Sequence, residues 1–492
     1  MPDSGPELTD RASGRADGGS PRILMFVPHG FAARNFLLTG VVEALLDHIE
    51  LTVVHPLGPE LAERAPRPEE IRWLDAPPFS EGAWGYIGRR SFLLGHMRTW
   101  NTEGMRHMLA ENRPQGLWGR KRLADTLAWW LSRRLSTANR LRRATDRYTR
   151  RQGRRPPARA WAHILDEIQP DLVFCCDQRP PENAALVAAA QGCGVPTATF
   201  IYSWDNLSSK GRMPCEFDTY LVWSRHMAEE LQRFYPHIRP DDIRITGTPQ
   251  FAPHRDPALA WTREEFFQRI GGDPSRPLIL YSAEDPRTDP ENPKHLNELC
   301  EAVEALDLSP RPQIILRPVP GEEGGRWAAM RERRPEVIWS QPPWDRTQDA
   351  WNRVLPTRED VALLANLVRH AEVAVNVCST ITLDFAVGDK QTINIAYDVS
   401  QPPVHGIPVW DKLFRFEHYR PVVEMGGALI ARSRDELKDQ LRSVLTTDDA
   451  HRSGRDAVLE LETDGLIEQV PERFAEVLRS LAGHGEFFGA TT

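Results

Sequence analysis

Short apolar runs without helical spacing, each closed by a turn and followed by an amphipathic stretch, recur along this chain and constrain its fold more than any other feature. Ile23-Leu-Met-Phe-Val27 leads through Pro28-His29-Gly30 to a helical pattern over about 37–47, then to Leu51-Thr-Val-Val54, ended by His55-Pro56. A strand, loop, helix, strand succession needs parallel strands joined by a right-handed crossover. The series resumes with a helix at Trp161–Ile168, a strand at Asp171–Cys176, a helix over Pro181–Gln191 and a strand at Thr197–Ile201. Two more strands, Tyr220–Trp223 and Ile243–Thr246, flank a helix at Arg225–Phe234. After a Pro- and Gly-rich break near 252–276 the alternation restarts. Strands are expected at Pro277–Tyr281, Gln313–Leu316, Val373–Asn376 and Gln391–Ile395, with helices at Lys294–Ala305, Val361–His370 and Thr380–Val387 between them. Strands that alternate with helices form a parallel sheet, so the expected class is α/β with two doubly wound halves. A helix pair, about Arg434–Leu445 and Pro471–Leu481, closes the chain.

Length agrees, because 492 residues exceed the size at which one core usually stops growing. The division expected is a disordered leader at 1–21, an N-terminal domain at 22–252, a C-terminal domain at 276–445 and a helical segment at 446–492. The leader, rich in Gly, Ser, Asp and Arg, lacks the apolar stretch of a secretory signal. Six cysteines without a CxxC pair fit free thiols in a reducing, cytoplasmic setting. No window approaches eighteen consecutive apolar residues, so no span of a bilayer is expected.

Residues 57–92 read as Pro-rich and irregular, and a helical stretch over about 93–152 follows, interrupted near Pro114–Gly116. Between Leu117 and Arg159 stand fourteen Arg or Lys against two Asp, interleaved with Trp118, Trp129, Trp130 and Tyr148. A solvated helix face is one reading of this basic insertion, about 93–159. Peripheral contact with anionic lipid, or with a lipid-phosphate acceptor, is another. The net charge of −8 lacks the basic excess usual for nucleic-acid binding, so nucleic acid is not an expected partner.

Ligands of open parallel sheets lie at the carboxyl ends of the strands, which singles out four loops. In Pro28-His29-Gly30-Phe-Ala-Ala-Arg34-Asn35, His29 could act as a general base and Gly30 would let a ligand approach closely; the plainer alternative is a polar loop. In Cys176-Asp177-Gln178, Asp177 could be a base or bind a substrate hydroxyl, or it could cap the next helix. Ser203-Trp204-Asp205-Asn206 sets an indole face beside directional polar groups, although turn chemistry favours the same residues. Ser379, Thr380, Thr382 and Asp384 open a helix after a strand, where backbone amides bind phosphate and hydroxyls cap helices. Arg317 offers a fork for a diphosphate, and Ser282 and Glu284 follow another strand, where Glu284 could accept ribose hydroxyls.

Ser203-Trp-Asp-Asn-Leu-Ser-Ser-Lys-Gly211, Tyr220-Leu-Val-Trp223-Ser224, Thr246-Gly-Thr-Pro249, Leu363-Leu-Ala-Asn366 and Val377-Cys-Ser-Thr-Ile-Thr-Leu-Asp384 together resemble bacterial surface-carbohydrate biosynthesis proteins of the GT-B glycosyltransferase fold, over roughly 22–400. The resemblance implies two facing Rossmann-like domains with a cleft between them, the first holding a hydroxyl acceptor and the second a nucleotide-sugar donor. It places Ser379, Thr380 and Thr382 near the donor phosphates and His29 in the loop of the base. Arg317-Pro318 stands where related chains often carry His-Pro. The activity implied is transfer of a sugar from a nucleotide-sugar to a hydroxyl, with no metal and no cofactor beyond the donor itself. His29 and Asp177 would be catalytic; Arg34, Asn35, Ser203, Trp204, Asp205 and Asn206 would hold the acceptor, a lipid-linked one included. A nucleotide-sugar 2-epimerase, a CDP-polyol phosphotransferase-like enzyme and a non-catalytic binding protein are the alternatives.

Overall fold

The computed structural model describes residues 19–114, 119–320, 322, 324–346, 354–404, 406–447 and 451–483. Most of the expected leader, together with Leu117 and Trp118 of the basic segment, lies outside the described residues. The chain is α/β with two parallel sheets, in the GT-B-like arrangement of two Rossmann-like domains.

The first sheet holds β1 (Arg22–Phe26), β2 (Glu50–His55), β3 (Ile71–Asp75), β4 (Leu172–Cys175), β5 (Thr197–Phe200), β6 (Thr219–Val222) and β7 (Ile243–Ile245). Its order is β3-β2-β1-β4-β5-β6-β7, with every pair parallel. The second sheet runs β10-β9-β8-β13-β14-β15, likewise parallel throughout. Its strands are β8 (Leu278–Ser282), β9 (Gln313–Arg317), β10 (Ile338–Trp339), β13 (Val373–Asn376), β14 (Gln391–Ile395) and β15 (Leu429–Ala431). A small antiparallel hairpin, β11 (Asp345–Arg346) with β12 (Val354–Leu355), stands apart from both. Strands such as Leu172–Cys175 are buried on both faces because helices cover each side, which is why they read as continuous apolar runs.

The order of strand addition reverses once in each sheet, between β1 and β4 in the first and between β8 and β13 in the second. Such a switch point opens a crevice at the strands' carboxyl ends. His29 follows β1 and Asp177 follows β4; Glu284 follows β8 and Ser379 follows β13. Topology thus brings four of the candidate residues to the two switch points.

Three local departures from the sequence reading have physical causes. The helix expected over 37–47 is two helices, Gly30–Leu37 and Val41–Leu46, because Gly40 sits at φ 91°, a conformation that breaks a helix. The stretch read as irregular contains β3, an edge strand whose prolines lie outside it. The stretch at 93–152 is four helices, Gly82–Trp100, Glu103–Glu111, Arg120–Ser132 and Ala138–Gly153. The last helix, Val470–Leu481, returns to the first sheet. Phe474 there lies with its ring centroid 5.5 Å from Phe36, 6.5 Å from Phe174 and 5.5 Å from Phe200.

Candidate functional site

The first switch point carries a closed pair. β1 ends in an apolar run, and the chain turns at Pro28 into a helix whose N-cap is His29, in extended conformation. Its Nδ1 accepts from the Ala32 amide at 3.1 Å, so Nε2 carries the hydrogen and donates to Asp177 Oδ2 at 2.9 Å. Asp177 Oδ1 accepts from the Arg179 amide at 2.7 Å. Asn183 Nδ2 donates to the Asp177 carbonyl at 2.7 Å and holds the loop. With both imidazole nitrogens engaged, the carboxylate is the member of the pair with lone pairs to spare. Tyr202 lies edge-on to His29, 5.4 Å between centroids, and burial with the nearby Asp177 pushes its phenol pKa up.

Gly30 was expected to leave room for a ligand. A Cβ there would lie 1.8 Å from the carbonyl oxygen of Val354, so the glycine instead admits the backbone of the hairpin. The two domains touch at this point: Phe31 meets Trp344 at 4.9 Å, and Arg64 bonds Asp345 and donates to the Pro356 carbonyl at 3.1 Å. Arg34 is half-buried and its Nε has no partner; Asn35 is buried and its Nδ2 has none.

The Ser203–Asn206 loop is a domain contact more than an open platform. Trp204 is buried, donates from Nε1 to Thr380 Oγ1 at 3.3 Å, and packs on His418 at 5.1 Å and Tyr419 at 5.7 Å. Its indole faces are therefore covered by the other domain. Burial works to raise the Asp205 carboxyl, but Lys210 at 2.8 Å and His418 outweigh it, with Ser203 adding a hydrogen bond, and hold the pKa far below the usual carboxylate range. His418 itself is pushed down to about 4 by burial. Asn206 is spent between Gln178 and Asp205, each at 2.9 Å.

At the second switch point Glu284 is buried, with the Cys378 amide and the Ser379 hydroxyl working to lower its pKa, so a carboxyl sits where the helix turn would receive an anion. Burial, and then Asp289, push its pKa up to about 8. Asn292 Oδ1 accepts from the Glu284 amide at 2.6 Å, and Asp289 bonds His295 Nδ1 at 2.9 Å. Ser282 pairs in register with Arg317 on the neighbouring strand. Arg317 does not present an open fork: Nη2 is held by both oxygens of Asp360, at 2.8 and 3.0 Å, while Nη1 has no partner. Thr382 and Asp384 point elsewhere. The Thr382 hydroxyl joins a buried network with Tyr419 at 3.0 Å and Asn394 at 3.3 Å. Asp384 accepts from His254 of the linker at 2.7 Å.

Four buried polar atoms at this edge, Glu284 Oε1, His295 Nε2, Arg317 Nη1 and Asn376 Nδ2, lack any partner. Buried polar groups are normally paired, so this edge has unspent hydrogen-bonding capacity for a polar ligand. Sequence reasoning missed Asp289, Asn292 and His295, although the run Asp289-Pro-Glu-Asn292-Pro just after a strand was a readable turn signal. It also missed Asp360, His254 and His418, whose local sequence carries no signal. Among the described residues no three His, Cys, Asp or Glu gather as a metal-ligand group, and no helix is long and apolar enough to cross a membrane.

No protein-family model and no curated protein matches the sequence. Solved structures do resemble the fold. The UDP-GlcNAc 2-epimerase of Neisseria meningitidis bound to UDP-GlcNAc aligns with a TM-score of 0.53 at 10% identity, over 93% of this chain and 100% of that one. A putative UDP-N-acetylglucosamine 2-epimerase from Listeria monocytogenes gives 0.53 at 12%, over 94% and 96%. The UDP-GlcNAc 2-epimerase of Methanocaldococcus jannaschii gives 0.51 at 11%, over 93% and 99%. At such identities the likeness establishes the fold: this chain shares the two-domain architecture of proteins that process nucleotide-sugars.

Proposed function

We propose that this protein is a glycosyltransferase of surface-glycan synthesis, moving a sugar from a nucleotide-sugar to an acceptor hydroxyl. The observation that carries the reading is the pairing of two switch points: the first ends in the His29–Asp177 pair, the second in a cluster with unspent hydrogen-bonding capacity. The Asp177 carboxylate takes the acceptor proton, and His29, donating from Nε2, is the positioning residue that holds it. On the donor side the neutral Glu284 carboxyl, the Ser379 hydroxyl and Arg317 Nη1 meet the departing diphosphate. Preorganised donors of this kind offset charge as it develops. A carboxyl with a pKa of about 8 is mostly neutral at pH 7 and donates to phosphate instead of repelling it.

A thermal-shift screen with UDP, GDP, CDP and CMP tests the donor site, since a ligand that binds only the folded chain raises its melting temperature. Stabilisation by none of them would leave a non-catalytic binding protein as the reading. A nucleotide-sugar 2-epimerase is the second reading, favoured by the raised Glu284 carboxyl as a ready acid and by the epimerases that share the fold. Product analysis separates the two: a new glycoside supports transfer, and an inverted C2 centre without an acceptor supports epimerisation.

A further inference from the structure

The helical insertion of the first domain has no role in the reading above, and its surface is unlike the rest of the chain. Its fourteen cations and two aspartates give 117–159 a net +12 in a chain of net −8, so the other residues together carry −20. All of the fourteen except Arg122 and Arg155 are exposed. Asp125, one of the two acids, is already taken by Arg90 at 3.4 Å and Tyr86 at 2.7 Å. Large apolar side chains stand out on the same surface: Trp84 is 63% exposed, Leu123 60% and Trp130 48%. Between the helices Gly82–Trp100, Arg120–Ser132 and Ala138–Gly153 runs a groove of about 260 Å³, with Trp84, Leu131 and Leu135 on its walls and Arg134, Arg147 and Arg151 lining it.

We infer that this face docks the protein on an anionic phospholipid bilayer, with the guanidinium groups on lipid phosphates and Trp84, Leu123 and Trp130 entering the interface. Charge complementarity selects that partner: clustered cations beside exposed aromatic and aliphatic side chains match an anionic surface over an apolar layer. Trp130 carries the Arg134 guanidinium 4.0 Å from its ring centroid, so cation and apolar ring stand together on this face. The docked face belongs to helices that pack on the segment after Asp177: Tyr148 in the groove bonds Glu81 at 2.8 Å, Glu81 pairs with Arg89 at 2.7 Å, and a Cβ on Gly153 would lie 3.1 Å from the Ala188 side chain of the helix Asn183–Cys193.

The test is co-sedimentation of the full chain with vesicles of phosphatidylcholine plus phosphatidylglycerol, against phosphatidylcholine alone. Binding to the anionic vesicles only, weakened by added salt, is expected. Reversing Arg134, Arg147 and Arg151 to Glu together should weaken it more than about tenfold. Trp84→Ser, a single change at an exposed site, should weaken it as well and covers the case in which the triple variant does not fold. Equal binding to neutral vesicles, no binding to anionic ones, indifference to these substitutions, or a preference for polyuridylate over vesicles would each overturn the inference. Nucleotide stabilisation measured in the same variants keeps a failure here distinct from a failure of the donor site.

Discussion

The two switch points occupy the same place in their sheets, but the titratable groups at their centres are paired differently. At the first, His29 and Asp177 satisfy each other and the surrounding amides, so every polar atom of the pair has a partner. At the second, Glu284, His295, Arg317 and Asn376 each keep one buried polar atom unpaired. A closed pair is preorganised to hold one group in one orientation. An unfinished network costs stability until a ligand completes it, since a buried polar group without a partner carries a penalty of roughly 1–3 kcal/mol. Under the proposed function, the closed pair of the first domain supplies the base, and the unpaired groups of the second meet the nucleotide, while Arg34 Nε and Asn35 Nδ2, also unpaired, are left for the acceptor.

The largest effect should come from the closed pair. Asp177→Asn removes the proposed base and should lower kcat by about 10²–10⁴-fold, the range of general-base catalysis. His29→Asn keeps an N-cap acceptor while removing the imidazole, so it should fold normally and lose less. Full turnover in Asp177→Asn would break the comparison on its first side.

The second side is tested by pH. Glu284 is neutral below about 8 and charged above it, so nucleotide affinity should fall as pH rises through about 8, by up to about tenfold per unit. Glu284→Gln should flatten that profile. Stability follows the same sign: with a folded pKa raised from 4.5 to about 8, the contribution of the neutral carboxyl is complete below about 4.5 and lost as pH rises through about 8. Glu230, buried and also pushed up to about 8, adds to the same slope. A melting temperature that rose between pH 5 and 9 would contradict both assignments.

Smaller effects probe how the halves meet. Gly30→Ala puts a methyl against the Val354 carbonyl and should cost roughly 1–3 kcal/mol by overpacking, read by chemical denaturation. Trp204→Phe deletes the hydrogen bond to Thr380 and should cost about 0.5–1.5 kcal/mol. If neither changed stability or activity, the contacts across the interface would carry no weight in holding the two switch points together.

Much of the fold was legible in the residues because parallel strands buried on both faces leave continuous apolar runs, as at Leu172–Cys175 and Val373–Asn376. The elements that escaped include β3 among prolines, the two-residue strands β10 to β12, the edge strand β15, the helices Arg263–Ile270 and Arg452–Thr463, and the break at Gly40. Of the site, His29, Asp177, Glu284 and Ser379 were legible, since each follows a strand directly. How these groups are spent was not. Arg317 is neutralised by Asp360, 43 residues away, Asp384 is held by His254 across 130, and Trp204 is covered by Thr380 across 176.

By itself, then, the sequence determined the class of fold, the two halves and the loops at the strands' carboxyl ends, because periodicity and turn chemistry are local properties. Tertiary structure alone decided which polar groups cancel and which stay unsatisfied, how closely Gly30 meets the hairpin, and that Phe474 packs into the first sheet from the far end of the chain. Those outcomes depend on burial and on pairings between distant residues, and a partner's distance through space is not written in its distance along the chain.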